Sequence, residues 1–218
     1  MTLNLSMPEA LAISAALFAI FMVGTGNLRV NLFLYGLQIS LLAATTAAYA
    51  PVFGESQLYL LAATIFLVKG VGVPVFLSKI LGKINVFSDS GTVLPLPIAM
   101  HASIVLLGVS QLLASHLTTP GQSDGVVGSV AAAVSLLLTG AMFMLTRKTA
   151  VCQVVGFLTM ESGIYLVALT LAQGMPLIVE MGILLDVLVG VMIAGLITFR
   201  IQKSFEHIDV TRLTDLHD

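Results

Sequence analysis

Residues 58–77 read LYLLAATIFLVKGVGVPVFL, and Lys69 is the one charge among them. Twelve residues after Gln57 and ten before Lys79, it would lie ~15–18 Å from either end of a helix. Its stem, roughly 6 Å long, cannot snorkel over that distance. An ammonium in hydrocarbon costs at least ~2.5–3.5 kcal/mol, a cost accepted where the charge faces a partner, a cavity or an ion path. Counted from the ends of their own apolar runs, Gln38, Glu161 and Asp186 reach the same depth as Lys69. Packing accidents would scatter along the membrane normal, so a shared depth points to function. Hydrocarbon disfavours the charged form of Lys69 or Glu161 alone, whereas paired they can stay charged. A pair so balanced can pass a proton when its surroundings change. The competing reading of Lys69, Glu161 and Asp186 is a static ion-pair set that fixes helix packing and moves no charge.

Three further residues are accessory candidates. Gln38 is a neutral amide, better suited to an interhelical hydrogen bond than to carrying a proton. Glu180 precedes Asp186 by six residues, which on a helix is ~120° around the axis and ~9 Å along it, the place of an exit group or of an interfacial charge. His101 falls about one turn inside an apolar run, where an imidazole serves either as a proton shuttle or as a packed residue. Pro74 removes the hydrogen bond to the Gly70 carbonyl, and with Gly72 beside it a kink is expected next to Lys69. That kink would either admit water to the ammonium or simply pack dry. Gly128, Ala132 and Gly140 predict a smooth face for close helix contact. A single cysteine, Cys152, and four scattered histidines cannot assemble a haem, zinc or iron–sulfur site. No glycine-rich loop precedes a Lys-Ser/Thr pair, so neither redox chemistry nor ATP hydrolysis is expected within this chain.

These side chains must be carried by membrane helices. Of 218 residues 58% are hydrophobic and only 9% charged, with a mean hydropathy of +1.06, against about 25% charged in ordinary globular chains. Seven stretches are long and apolar enough to span the bilayer: roughly 8–26, 30–50, 57–78, 94–116, 125–146, 150–172 and 176–200. The expectation is an all-α, polytopic membrane protein of about seven transmembrane helices, one membrane domain over 1–218 with a polar tail at 202–218. The first stretch lacks a basic n-region and an Ala-x-Ala site and reads as a retained helix. Arg29, Lys79, Lys83, Arg147, Lys148, Arg200, Lys203 and Arg212 fall in alternate loops or the tail, while Glu9, Glu55 and Asp124 occupy the others. The positive-inside rule then puts the N-terminus outside and the C-terminus in the cytoplasm.

The second and third spans resemble the sixth and seventh. Gly36-Leu37-Gln38 matches Gly156-Phe157-Leu158, and each following span carries a mid-span charge, Lys69 or Asp186. Spans 1–3 and 5–7 would then be two triplets in parallel orientation, unlike the inverted repeats of many transporters.

Residues 156–163 (GFLTMESG), 176–186 (PLIVEMGILLD) and 208–214 (IDVTRLT), with Val68-Lys69 and Val73-Pro74, closely resemble hydrogenase-4 component E. That family is similar to the three-helix K subunit of respiratory complex I and the C subunit of Mrp-type antiporters. The resemblance implies a membrane subunit, not itself an enzyme, of an energy-converting hydrogenase complex. It also implies a prokaryotic inner-membrane location, and antiporter-like membrane subunits and soluble iron–sulfur subunits as partners. A nickel–iron centre and iron–sulfur clusters would reside in those partners, and no nucleic acid is involved. K-subunit acids of the second and third helices correspond to Gln38 and Lys69 in the first triplet. In the second triplet they correspond to Leu158, one turn from Glu161, and to Asp186. Lys69 resembles the buried lysines that pair with glutamates in antiporter-like subunits. The expected relay is therefore Lys69, Glu161 and Asp186. Alternatives are a structural adaptor between antiporter-like subunits, or a component of a cation/proton antiporter.

Overall fold

The computed structural model describes residues 6–84, 92–118, 124–171 and 190. The chain divides into two compact units, Met1–Glu180 and Met181–Asp218, and the helices below belong to the first. They are α1 (Met7–Val23), α2 (Leu28–Phe53), α3 (Gln57–Ile65), a π-helical segment (Phe66–Gly72), α4 (Val73–Ile84), α5 (Leu96–Leu117), α6 (Asp124–Thr146) and α7 (Ala150–Leu171). Because α3, the π segment and α4 follow one another without a break, they form a single rod. With α1, α2, α5, α6 and α7 it makes six helical rods among the described residues. Five of the rods are long and apolar enough to cross a bilayer, and α1 is a shorter apolar helix. This is an all-α, polytopic integral membrane protein. The seventh expected span, with Glu180 and Asp186, and the tail lie outside the described residues.

Local chemistry explains the helix ends. Ser6 starts α1, its backbone N–H donating to Glu9 Oε2 at 3.3 Å as in a capping box. Asn27 caps α2 by accepting from the Arg29 N–H at 3.0 Å. Pro51 falls in the last turn of α2, and Gly54, at φ 72°, supplies the left-handed residue that ends it. Pro95 and Pro97 open α5, where a missing N–H costs nothing.

In the packing α6 contacts α7, α5 and α1, while α2 contacts α1, the α3–α4 rod and α7. Glycines set the closeness of α6 and α7. A Cβ on Gly140 would lie 2.7 Å from the Gly156 carbonyl oxygen, and one on Gly163 would lie 2.6 Å from that of Ala133. The smooth face expected along α6 is therefore split. Gly140 meets α7, whereas Gly128 makes room for the Glu9 side chain from α1. Outward apolar faces remain on the rod and on α5, where Ile98, Val105 and Leu112 are exposed, as suits helices facing lipid or other subunits.

Candidate functional site

The π segment is the local answer to Pro74. Without an N–H at 74 the α-helical bond to the Gly70 carbonyl cannot form. The chain widens instead, so that the Val73 N–H reaches back five residues to the Val68 carbonyl. The defect beside Lys69 takes the form of a π-helical segment seven residues long, Phe66–Gly72. Close packing accompanies this. Gly36 of α2 brings its backbone against the Gly70 carbonyl, to which a Cβ would be 3.3 Å, and against the Pro74 ring. Gly70 in turn faces Ile39 and Ser40. π segments are rare and concentrate at functional positions, and this one contains Lys69.

Lys69 crosses to α7. Its Nζ donates to Glu161 Oε1 at 2.9 Å, with 9% of the lysine side chain and 1% of the glutamate exposed. Glu161 is held in depth by α6, because Met160 and Gly163 flank it and both abut the α6 backbone. Buried pairs this short are costly to assemble and costlier to break, since a lone partner is left as an unpaired charge. Chemically the arrangement has two states: ammonium with carboxylate, or amine with carboxylic acid, related by one proton moving along a bond already formed.

Gln38 is fully buried on α2, and neither its Nε2 nor its Oε1 has a hydrogen-bond partner among the described residues. Asn31, two turns earlier on the same face, leaves its Oδ1 unpartnered while its Nδ2 donates to the Thr25 carbonyl. Buried amides without partners are uncommon and call for water or a functional reason. His101 is exposed on α5, its Nδ1 2.6 Å from the Pro97 carbonyl oxygen, and α5 packs mainly on α6 and α1. A groove of about 450 Å³ between α2 and α4 is lined by Arg29, Lys79, Ser78 and apolar neighbours, and includes neither Lys69 nor Glu161.

Sequence reasoning placed Arg147 in a loop, but it is 2% exposed. Its guanidinium donates to the carbonyls of Val23 at 2.8 Å and Thr25 at 2.7 Å, closing the end of α1, and lies over the Phe143 ring. Beside it the Val93 N–H bonds to the Thr146 carbonyl at 2.9 Å. Arg147 thus joins the end of α1 to the α6–α7 turn, and Arg29 and Lys79 share the groove at the start of α2. Glu9 and Glu55 belong to the opposite ends of α1 and α2, which makes one end of the bundle basic and the other acidic.

Two cross-helix hydroxyl bonds were also not foreseen. Thr46 Oγ1 on α2 lies 3.1 Å from the Tyr165 hydroxyl on α7, and the Tyr49 hydroxyl donates to Ser129 Oγ on α6 at 2.7 Å.

Comparison with known proteins adds the following. No family model matches the chain. It is 37% identical over 126 residues to an uncharacterized protein of Mycobacterium tuberculosis, a match spanning 56% of this chain and 57% of that protein's length. It is 24% identical over 201 residues to hydrogenase-4 component E of Escherichia coli K12, covering 92% of each chain. The hydrogenase-4 component E of Shigella flexneri matches with the same identity and coverage. No solved structure matches.

Proposed function

We propose that the chain is a membrane-arm subunit of a complex-I-like, energy-converting hydrogenase or a related oxidoreductase complex, and belongs to the hydrogenase-4 component E family. In this reading it performs no catalysis itself. Lys69 and Glu161, with Asp186 from the seventh span, form a relay that moves protons or sodium ions in step with electron transfer elsewhere. The observation that carries the reading is the ion pair of Lys69 and Glu161, 2.9 Å long and buried in apolar helices. It lies within a 201-residue match to hydrogenase-4 component E. The nickel–iron and iron–sulfur centres belong to partner subunits, because this chain's one cysteine provides no ligand set for them. By its charge distribution the basic end faces the cytoplasm.

The pair would work by switching between its two states. When Glu161 holds a proton and Lys69 is neutral, the site carries no net charge and presents an amine able to accept a proton from the next group. When the proton returns, the charges attract and the site closes. A displaced charge nearby shifts the balance, which is how a distant electron-transfer step can drive an ion.

Glu161→Gln tests this in the assembled complex. The expected result, read in those complexes that still assemble, is electron transfer with loss of coupled ion translocation. Ion translocation at the unaltered ratio to electrons would overturn the proposal and leave the pair as a packing device between antiporter-like subunits.

A further inference from the structure

We infer that a ladder of hydroxyl groups joins Glu161 to Glu9, and that Glu9 is the group through which the buried pair exchanges protons at the acidic end of the bundle. The inference rests on the relay reading above and adds the route that feeds it.

Tyr165 follows Glu161 by one turn on α7, about 6 Å along the axis, and both are buried. Its hydroxyl meets Thr46 Oγ1 at 3.1 Å, across the α2–α7 contact. Tyr49 follows Thr46 by about one further turn on α2, is 3% exposed, and donates to Ser129 Oγ at 2.7 Å across to α6. Stacking on Phe53, with ring centroids 5.0 Å apart, fixes the Tyr49 ring. Ser129 Oγ donates on to the Gly125 carbonyl at 3.0 Å. The Glu9 side chain lies against that turn of α6, filling the space a Cβ would need at Gly128 and reaching over Gly125. Glu9 itself is half-buried, so it touches both the ladder and the surface.

These four hydroxyls share a property that alternative packing residues lack. Each can accept one proton while giving up its own. Thr46 also bonds the Leu42 carbonyl at 3.0 Å, and Ser129 the Gly125 carbonyl, so each has a second acceptor to rotate toward after a transfer. Between the couples, water carries the proton in the proposed route. No electrons move and no bond other than O–H or N–H changes. A proton leaving Glu161 enters the Tyr165–Thr46 couple, each oxygen passing on a proton in turn. The last proton joins the Glu9 carboxylate, which releases it to water. Toward the basic end the buried polar atoms are mixed, the amides of Gln38 and Asn31 with the hydroxyls of Tyr35 and Thr139, whereas the Tyr165–Thr46 and Tyr49–Ser129 couples lie on the acidic side of the pair.

The test uses the full chain in proteoliposomes selected for one orientation, with the infrared carboxyl band of Glu161 identified by its disappearance in Glu161→Gln. A pH jump is applied separately to each face. With Glu9→Gln, Tyr49→Phe or Tyr165→Phe, protonation of Glu161 should slow at least tenfold when the jump is on the Glu9 side, and stay unchanged from the other side. Glutamine retains the helix-capping acceptor and phenylalanine the ring, and Glu9→Asp should restore most of the rate. An unslowed response from the Glu9 side, or equal slowing from both sides, would overturn the ladder while leaving the relay standing. A Glu161 band that never responds to pH on either side would overturn the relay, and the ladder with it.

Discussion

Removing one member of the Lys69–Glu161 pair should harm the fold far more than removing both. The bond is 2.9 Å long, with the side chains 9% and 1% exposed, so solvent cannot substitute for a missing partner. Lys69→Met takes away the ammonium bonded to Glu161, and Glu161→Gln the carboxylate bonded to Lys69. Removing one partner of a buried ion pair costs about 3–5 kcal/mol in water-soluble proteins. In a bilayer the reference state also finds partners for polar groups, which places each single substitution near the lower figure, about 3 kcal/mol. Replacing the pair by Met and Leu of similar volume removes both charges and should cost no more than about 1 kcal/mol. The double-mutant cycle therefore predicts a coupling energy of about 5 kcal/mol. Reversible unfolding of the full chain in bicelles, followed by steric trapping, would measure it. Losses for the double variant equal to the sum of the singles within ~0.5 kcal/mol would refute the reasoning.

Other consequences follow from the packing. Gly140→Ala should push α7 off α6, cost about 1–3 kcal/mol of stability in the same assay as overpacking does, and shift Glu161 relative to Lys69. Arg147→Met leaves the carbonyls of Val23 and Thr25 without their charged donor and should cost about 2–4 kcal/mol, at ~1.5–3 kcal/mol for each such bond less compensation by water at the helix end. Both bonds leave one nitrogen, Nη2, so Arg147→Lys can replace them but not the flat guanidinium over the Phe143 ring, and it should recover most but not all of the loss. Gln38→Leu removes an amide with no partner among the described residues and should raise stability by about 1 kcal/mol. If the glutamine serves the relay, the same variant should lower ion-transfer rates, a combination expected where function is kept at a cost in stability.

The parts of this site that were legible in the sequence were those expressed as depth. Lys69 and Glu161 stood at matching distances from their span ends, and an unpaired ammonium in hydrocarbon demanded a partner, so counting along two helices sufficed to bring them together as candidates. Helix rods and turns followed from apolar runs and from Asn27, Gly54 and the prolines at 95 and 97. Rotation about the helix axis was harder to read. Pro74 marked a defect, but neither the π-helical form it takes nor the close approach of Gly36 to Gly70, a contact between helices, is written in the spacing of residues. Serine and threonine in an apolar helix ordinarily bond their own preceding turn, so nothing in the sequence singled out Thr46 and Ser129 as cross-helix acceptors. Arg147 obeyed the charge rule for a loop residue, and its burial under the end of α1 reflects that helix's unsatisfied carbonyls, which sequence patterns do not count. Asp186 and Glu180 lie outside the described residues and rest on the resemblance and on spacing.

The most direct test of the relay uses the double replacement Lys69→Met with Glu161→Leu, because the cycle above predicts that it folds. In membrane vesicles containing the parent complex, ions moved per electron transferred would be measured for this variant and for the unaltered protein. The relay account predicts normal assembly and electron transfer with a reduced ion-to-electron ratio. An unchanged ratio would contradict it.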